Sequence, residues 1–419
     1  MYFLLLSLFL IWPFGSLPLM LYLMYHQKRY AWYFLGALIA LFAMYYPPTG
    51  DQLFYWRNFQ ETNSIIDTLI ATINTENIRG LSIIHPIYSL IKNLNGNFEY
   101  VRFVLIFTSY CLCLNFFWNN IDNFNKIISN KKYYLLLSIF FMAIPVCPIM
   151  TGFRWGSAVV LFFLAASNFV IGNRVLGVIF TILAGIFHFA ILPYIALFVL
   201  CYLTRNIIWE HPIVILITAI VITFTIDNFI TYLLGIPSLN FVSTYIDPDG
   251  TWRTGELPYE TSTLSKIGYF VNNCIFYLFL LFIPSIICKY KRSQNKFVNS
   301  YPSHIFNFTF LLIVLFIVFR NFYTISERMT HLIFLFSSGA FVSAYLKNTN
   351  YFSRRTLIVY FLFMTFFFCF SWISLRKPFI LAKSYRFFYA TAYTAFNNTY
   401  STDWVFLNVS QDGDPIIKE

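Results

Sequence analysis

The sequence predicts an all-α membrane protein, a polytopic helical bundle with about 12 transmembrane helices and one re-entrant or interfacial helix on its outer side. Hydrophobic residues make up 59% of the 419-residue chain and charged residues only 11%, a composition that excludes an ordinary soluble domain of this length. The charges collect in short clusters between apolar runs of roughly 16 to 25 residues, and about 20 residues of helix cross a bilayer core. Most of the chain therefore faces lipid or other helices.

Each predicted helix corresponds to one apolar run. The helices are expected at 2–25, 30–46, 98–119, 133–150, 153–172, 175–187, 189–203, 212–234, 265–288, 305–323, 329–346 and 356–374. The run from Val175 to Leu203 is too long for one ordinary span and short for two. His188 and Pro193 within this run therefore indicate either a tight reversal or a kink.

Basic clusters predict which side of the membrane each loop faces. If the 175–203 run forms two helices, four clusters fall on one side: Lys28-Arg29, Lys131-Lys132, Lys289 with Lys291 and Arg292, and Arg354-Arg355. Short loops rich in Lys and Arg stay in the cytoplasm, so this side is predicted to be cytoplasmic. These clusters at helix ends account for much of the net charge of +11, which therefore does not imply a nucleic-acid partner.

The long loops are then expected on the opposite, extracytoplasmic side. Residues 1–374 form the predicted bundle, with outer loops at 47–97 and 235–264, and residues 375–419 form a tail on the same side. Within the first loop, the stretch at 81–94 is apolar but too short to span, which favours the re-entrant or interfacial helix. Function is therefore expected on the outer side.

No cofactor and no metal are expected. All seven cysteines lie within or beside apolar runs, and none forms a CxxC pair or a metal-ligand spacing. Asp247-Pro248-Asp249 has the letters of a carboxylate pair, but a central proline in a loop is more typical of a turn. A cation site at this segment is the alternative.

The first candidate functional feature is the segment Pro47-Pro48-Thr49-Gly50-Asp51, which is followed by Tyr55. If a helix begins after Gly50, Asp51 and Tyr55 lie four residues apart on one helical face. A carboxylate and a phenol would then point towards the same groove. The alternative is that Asp51 only caps the helix, since Asp is favoured at that position.

The second candidate feature is the segment Gly152-Phe153-Arg154-Trp155-Gly156. An arginine at membrane depth is costly, and its planar fork suits phosphate oxygens, so Arg154 is predicted to bind a lipid pyrophosphate. The flanking glycines would let a ligand approach the backbone closely. The alternative is that Arg154 extends to the lipid headgroups.

Two further arginines are predicted at another outer turn. Arg320 precedes Ser326-Glu327-Arg328, and both arginines could join Arg154 in a basic outer cavity. A Glu327 and Arg328 pair that serves only membrane topology is the alternative.

His188 is predicted as a proton carrier between two spans, because its ordinary pKa lies near neutral pH. A histidine satisfied by a neighbouring carbonyl is the alternative. Other charges within apolar surroundings, Glu99 with Arg102 and the lone Asp227, are expected to pair structurally across helices.

A set of these motifs resembles a known family. The sequence contains PPTGD with a following Tyr, then HPIYSLI and NGNF, GFRWGSA, FHFA and SERM, in that order. This order is similar to that of the EpsG-like branch of the Wzy-type polysaccharide polymerases. The chain departs from the expected pattern at His85, the residue before Pro86, where an acidic residue is expected in many relatives.

The resemblance implies a multi-pass glycosyltransferase of the bacterial inner membrane that acts on its outer face without nucleotide sugars. Its substrate would be an oligosaccharide repeat unit carried on undecaprenyl diphosphate, and its product an O-antigen, capsule or exopolysaccharide. Arg154 and Arg328, with Arg320, would hold the pyrophosphate. Asp51 would orient or deprotonate the acceptor, with His188 as a second base, and Tyr55 and Trp155 would contact sugar.

Partners implied by the resemblance are the lipid-linked oligosaccharide, membrane lipid and a chain-length regulator protein. Two other functions would also need many spans and a basic cavity. One is a flippase or exporter of lipid-linked oligosaccharide, which must expose its charges to both faces in turn. The other is an O-antigen ligase that moves finished glycan to another acceptor.

Overall fold

The computed structural model describes residues 1–62, 84–121, 129–204, 212–223, 263–293, 300–320, 323–348, 351–410 and 416. Within these ranges every regular element is a helix, which confirms the all-α prediction. Contacts divide the chain into two compact units. The first contains residues 1–165, 175–192 and 368–419, and the second contains residues 166–174 and 193–367.

The α-helices are numbered here in chain order. They are α1 Tyr2–Ile11, α2 Leu17–Tyr25, α3 Arg29–Ala43, α4 Asp51–Glu61, α5 Ile84–Asn93, α6 Glu99–Phe116, α7 Asn130–Met142, α8 Val146–Gly152, α9 Arg154–Ile171, α10 Arg174–Phe187, α11 Leu192–Leu203, α12 Pro212–Thr223, α13 Thr263–Ser293, α14 Tyr301–Val318, α15 Tyr323–Lys347, α16 Arg354–Ser374, α17 Arg376–Leu381, α18 Ala392–Phe396 and α19 Thr402–Asn408. Single 3-10 segments lie at Phe14–Ser16, Phe189–Ile191 and Ser384–Tyr389, and a π-helical turn lies at Phe117–Ile121.

Seven described helical segments are long and apolar enough to cross a membrane, one of them interrupted at Pro145. They are Glu99–Asn120, Asn130–Gly152, Arg154–Ile171, Phe270–Arg292, Tyr301–Val318, Ile325–Lys347 and Arg354–Ser374. Shorter apolar helices of 10–17 residues lie in the segments predicted at 2–25, 30–46, 175–187 and 189–203. The chain is therefore a multi-pass membrane protein, and the number of about 12 spans stays a prediction.

Proline breaks two of the predicted helices. The segment 2–25 was expected to be one helix, but α1 ends at Ile11, just before Pro13, and α2 starts only at Leu17. The segment 133–150 likewise divides into α7 and α8 at Pro145. Proline ends a helix because it lacks a backbone N–H and its ring clashes with the preceding turn. Hydropathy does not detect these breaks, because apolar residues continue on both sides of each proline.

The long run around His188 forms two helices. Helix α10 ends at Phe187, and His188 has an extended backbone with φ −156° and ψ 110°. A Cβ atom on Gly185 would lie 3.2 Å from the side chain of Leu192, whereas residues seven apart in one helix are separated by about 10 Å along its axis. The helix is therefore interrupted at residues 188–191, and the choice between a tight reversal and a kink stays a prediction.

Basic clusters meet at one end of each unit. In the first unit, Gln27 donates a hydrogen bond to Asn130 at 2.7 Å, which brings the 28–29 and 131–132 clusters to the same end. In the second unit, the rings of Tyr290 and Tyr351 lie 5.3 Å apart and bring the 289–292 cluster to the start of α16. Each pairing agrees with the predicted topology, and the assignment of this side to the cytoplasm stays a prediction.

Aromatic side chains fill the interior of each unit. In the first, the Tyr110 ring stacks on Phe141 at a centroid distance of 4.2 Å, with Trp32 5.5 Å from Phe141. In the second, Phe334 lies 4.6 Å from Phe367 and packs helix α15 against α16. Burying such rings supplies much of the packing between the helices.

A tight junction between α8 and α9 fixes the start of α9. Phe153, which separates the two helices, is fully buried and has φ 28°, a conformation that a bulky residue rarely adopts. Gly156 packs against α8, because a Cβ there would lie 2.5 Å from the Ile149 nitrogen. The prediction that both glycines admit a ligand is therefore wrong for Gly156, whereas Gly152 faces open space.

This junction predicts different effects for two alanine substitutions. Gly156→Ala would force backbone atoms of α8 and α9 apart and should cost about 1–3 kcal/mol of stability. Gly152→Ala is the matched control, since no atom beyond its chain neighbours and its own helix backbone lies within 4 Å of the added carbon. Thermal unfolding in detergent should show a lower Tm for Gly156→Ala only. Equal Tm values for the two variants would contradict the close packing.

Candidate functional site

Arg154 is the first residue of α9 and is held by a backbone carbonyl. Its Nε donates a hydrogen bond to the Phe187 oxygen at 3.2 Å, which fixes the guanidinium against the end of α10. Its two terminal nitrogens make no hydrogen bond within the part of the chain that the structure describes. A guanidinium held at Nε with these nitrogens available suits bidentate binding of an oxyanion.

Helix α5 places His85 and Tyr88 near Arg154. The rings of His85 and Tyr88 lie 5.8 Å apart in an edge-to-face arrangement. Burial, and secondly the Arg154 guanidinium, lower the pKa of His85, so this imidazole is neutral near pH 7. The sequence identified His85 only as a departure from a family pattern, and no periodicity in the short stretch 81–94 indicated that it faces Arg154.

Tyr88 is a fully buried phenol in the same cluster. Its side chain is 0% exposed, and its hydroxyl has no hydrogen-bond partner among the described residues. Burial, and secondly Tyr55, raise the pKa of Tyr88 well above its usual range, while Arg154 and Arg102 act in the opposite direction. The phenol therefore stays protonated, with a hydroxyl that can donate.

Helix α4 connects Asp51 to this cluster. The helix begins at Asp51, as predicted, so that Asp51 and Tyr55 lie one turn apart on one face. The Tyr55 ring stacks on Phe153 with centroids 5.4 Å apart, directly before Arg154. The N-cap residue is Gly50 rather than Asp51, so the exposed Asp51 carboxylate stands in the first turn, where the helix dipole favours it.

His188 has a structural contact of its own. Its Nδ1 accepts a hydrogen bond from the Ala190 N–H at 3.2 Å and so caps the 3-10 segment Phe189–Ile191. The neutral ring then carries its proton on Nε2, and the lone pair of Nδ1 is already engaged. Trp155, which is 7% exposed, contacts the His188 ring at 5.6 Å. This contact favours the structural alternative, although the partner is an N–H and not a carbonyl.

Arg320 and Arg328 lie in the second unit. Arg320 is exposed and follows the end of α14 by two residues, and Arg328 is half-buried in the second turn of α15. Arg328 interacts electrostatically with Tyr194 and His331. That these two arginines converge on one ligand with Arg154 stays a prediction.

Glu99 and Arg102 are two buried ionisable side chains that lie one turn apart on α6 and interact electrostatically. They are 2% and 0% exposed, and they attract each other along one helix, not across helices as expected. Arg102 donates through Nη1 to the Tyr46 carbonyl and through Nε to the Gln52 side chain at 3.3 Å. It therefore holds both ends of the turn that carries Asp51.

The C-terminal segment completes this end of the first unit. The Tyr400 N–H donates to the Glu99 carboxylate, and the Tyr400 hydroxyl donates to the Tyr45 carbonyl at 2.6 Å. Ser384 donates to the same carbonyl at 2.9 Å. The last two contacts satisfy the Tyr45 carbonyl, which lies just after the end of α3. The sequence predicted residues 375–419 only as a tail and did not indicate these contacts.

Several sequence-based expectations lie outside the described residues. They are residues 235–262 of the second outer loop, the Asp247-Pro248-Asp249 segment within it, Asp227 and residues 63–83 of the first outer loop. Within the described ranges, no group of three or more His, Cys, Asp or Glu side chains has an arrangement that could hold a metal ion.

Comparison with known proteins identifies the family. A model of the EpsG family matches residues 82–389, which is more than half of the chain. The chain belongs to the EpsG family. EpsG-like proteins are Wzy-type polymerase-like membrane proteins. The matched region contains His85, Tyr88, Arg154 and Arg328, whereas Asp51 precedes it. No curated protein and no solved structure matches the chain.

The buried pair predicts a large loss of stability on removal of one partner. Arg102→Leu would leave the Glu99 carboxyl group buried without its neighbouring cation. This change should lower the free energy of unfolding by about 3–5 kcal/mol. Arg174→Leu, a change of the same chemistry at an exposed arginine, is the control. Thermal unfolding should show a much lower Tm for Arg102→Leu alone. A second change, Glu99→Leu, should restore part of that loss, and no restoration would contradict the coupling.

Proposed function

We propose that this EpsG-family protein is a membrane glycosyltransferase that joins undecaprenyl-diphosphate-linked oligosaccharide repeat units into a surface polysaccharide. The observation that carries the proposal is Arg154, fixed at Nε with its two terminal nitrogens available beside His85 and Tyr88. Family membership and the multi-pass helical bundle support the polymerase class. The proposed location is the bacterial inner membrane, with the site on its outer face.

The proposed reaction transfers a glycan from one lipid carrier to another. The acceptor hydroxyl attacks the anomeric carbon of the donor, the bond from that carbon to the diphosphate oxygen breaks, and undecaprenyl diphosphate leaves with the electron pair. Positive charge develops on the sugar and negative charge on the departing phosphate. A rigid guanidinium such as Arg154 stabilises that negative charge more in the transition state than before it. Arg328 and Arg320 are proposed to supply further positive charge.

The acceptor proton requires a base. Asp51 is proposed for this role, since its carboxylate is exposed and shares a helical face with Tyr55, whose ring adjoins the Arg154 turn. His188 is the second candidate, but its Nδ1 is engaged with the Ala190 N–H. Tyr55 and Trp155 are proposed to contact the sugar rings through their aromatic faces. A chain-length regulator is a proposed partner.

A flippase or exporter is the alternative from another functional class. In the first unit, a polar cluster of Asp51, Glu99 and Arg102 adjoins the turn after the end of α3, and the 28–29 basic cluster lies at the start of α3. The 15 residues of α3 separate these two ends by about 22 Å. A polar cluster at one end favours an enzyme over a carrier that must offer its charges to both faces in turn.

Removal of the Arg154 side chain tests the phosphate role. Arg154→Ala should lower polymer formation by about 100-fold or more, because a fixed donor to the developing charge is lost. Arg154→Lys should recover only part, since an ammonium cannot form the bidentate contact. Polymerisation of a defined lipid-linked repeat unit by purified protein measures the effect, with Arg174→Ala as the control. A normal ladder of glycan lengths from Arg154→Ala would refute the assignment.

Two substitutions of Asp51 separate a base from a structural residue. Asp51→Asn retains polar contacts in the first turn of α4 but cannot accept a proton, so activity should be lost. Thermal unfolding should show that Asp51→Asn folds normally. Full activity in Asp51→Asn with loss in Asp51→Ala would instead favour a structural role. In cells, a polymerase defect should shorten the glycan while single repeat units are still exported and attached, unlike a flippase or ligase defect.

A further inference from the structure

We infer that the Tyr88 hydroxyl is a further binding group of the proposed site and donates a hydrogen bond to a phosphate oxygen that Arg154 also holds. This inference rests on the proposed function and assigns a specific donor to the diphosphate. It is carried by the burial of this hydroxyl, the fixed orientation of its ring and the charges around it.

Burial without a partner is the first observation. Tyr88 is 0% exposed, and its hydroxyl has no hydrogen-bond partner within the described ranges of the chain. Buried polar groups in proteins are almost always hydrogen-bonded, because an unsatisfied donor costs its full desolvation energy. A bound ligand oxygen would satisfy this hydroxyl.

The fixed ring is the second observation. Tyr88 contacts Phe59 at a centroid distance of 5.6 Å, His85 at 5.8 Å and Phe98 at 6.3 Å. Edge-to-face contacts with three rings, one on α4, one on α5 itself and one directly before α6, hold the phenol in one orientation. Its hydroxyl is therefore preorganised, which lowers the entropic cost of binding.

The charges around the hydroxyl define the class of ligand. The Tyr88 oxygen interacts electrostatically with the guanidinium groups of Arg154 and Arg102, and His85 beside it is neutral. Two guanidinium groups disfavour a cation and favour an anionic oxygen. Because the phenol stays protonated, it supplies a donor that a phosphate oxygen accepts. The geometry therefore favours a phosphate group over a neutral sugar.

Tyr110 provides a matched control. It is also 0% exposed, and its hydroxyl also has no hydrogen-bond partner among the described residues. Its ring stacks on Phe141, and the ionisable neighbours of its hydroxyl are the thiols of Cys113 and Cys147. Tyr88 and Tyr110 thus share burial and the missing partner, but only Tyr88 adjoins guanidinium groups.

The test compares Tyr88→Phe with Tyr110→Phe in the purified full-length protein. Binding of farnesyl diphosphate and of the neutral farnesol is measured by calorimetry in detergent, and the Tm of each variant is recorded. Both variants should keep the wild-type Tm or exceed it, since each loses an unsatisfied buried group. Tyr88→Phe should weaken diphosphate binding by about 10-fold or more, the effect of one hydrogen bond to a charged group. Tyr110→Phe should bind as the wild type does.

The outcomes distinguish this inference from the proposed function. Wild-type protein without preference for the diphosphate over farnesol would overturn the proposed function, and the inference with it. A preference in the wild type that Tyr88→Phe retains in full would overturn only the role of Tyr88. A lower Tm for Tyr88→Phe, or equal losses of binding in both variants, would show that the hydroxyl serves packing and would also overturn it.

Discussion

A guanidinium with no contact to solvent determines how one end of the first unit is organised. Arg102 is fully buried, and a charge in such surroundings is tolerated only when a counter-charge and hydrogen-bond acceptors surround it. Glu99 supplies the charge, and the Tyr46 carbonyl and the Gln52 amide supply acceptors. Helices α4 and α6 and the turn between α3 and α4 are therefore held together by the requirements of one side chain.

Arg154 is positioned in a different way, by close backbone packing between α8 and α9. Gly156 lets α8 and α9 approach, Phe153 fits the tight junction between them, and Arg154 emerges with its Nε already bonded to the Phe187 carbonyl. Catalysis by charge stabilisation requires groups that need not reorganise during the reaction. A short, crowded junction provides that rigidity better than a long loop would.

Hydropathy was sufficient to predict the all-α membrane bundle, and glycine and histidine marked the start of α4 and the break at His188. It did not predict the break at Pro13, because apolar residues continue on both sides of that proline. The proximity of His85 and Tyr88 to Arg154 was also missed, since these residues lie more than sixty positions apart and periodicity does not specify which helix a face meets. Contacts of Tyr400 were missed for the same reason.

Tyr400, whose backbone N–H contacts Glu99, lies beyond residue 389, where the family match ends. Glu99 interacts with Arg102, which holds the turn before Asp51, so the C-terminal segment stabilises the packing around that turn. A common way to determine on which side of the membrane a segment lies is to truncate the chain and fuse a reporter protein to the new end. A fusion made at any residue before Tyr400 would remove this contact. An inactive reporter in such a fusion would then indicate that the packing around the Asp51 turn is lost, and it would give no information about membrane orientation.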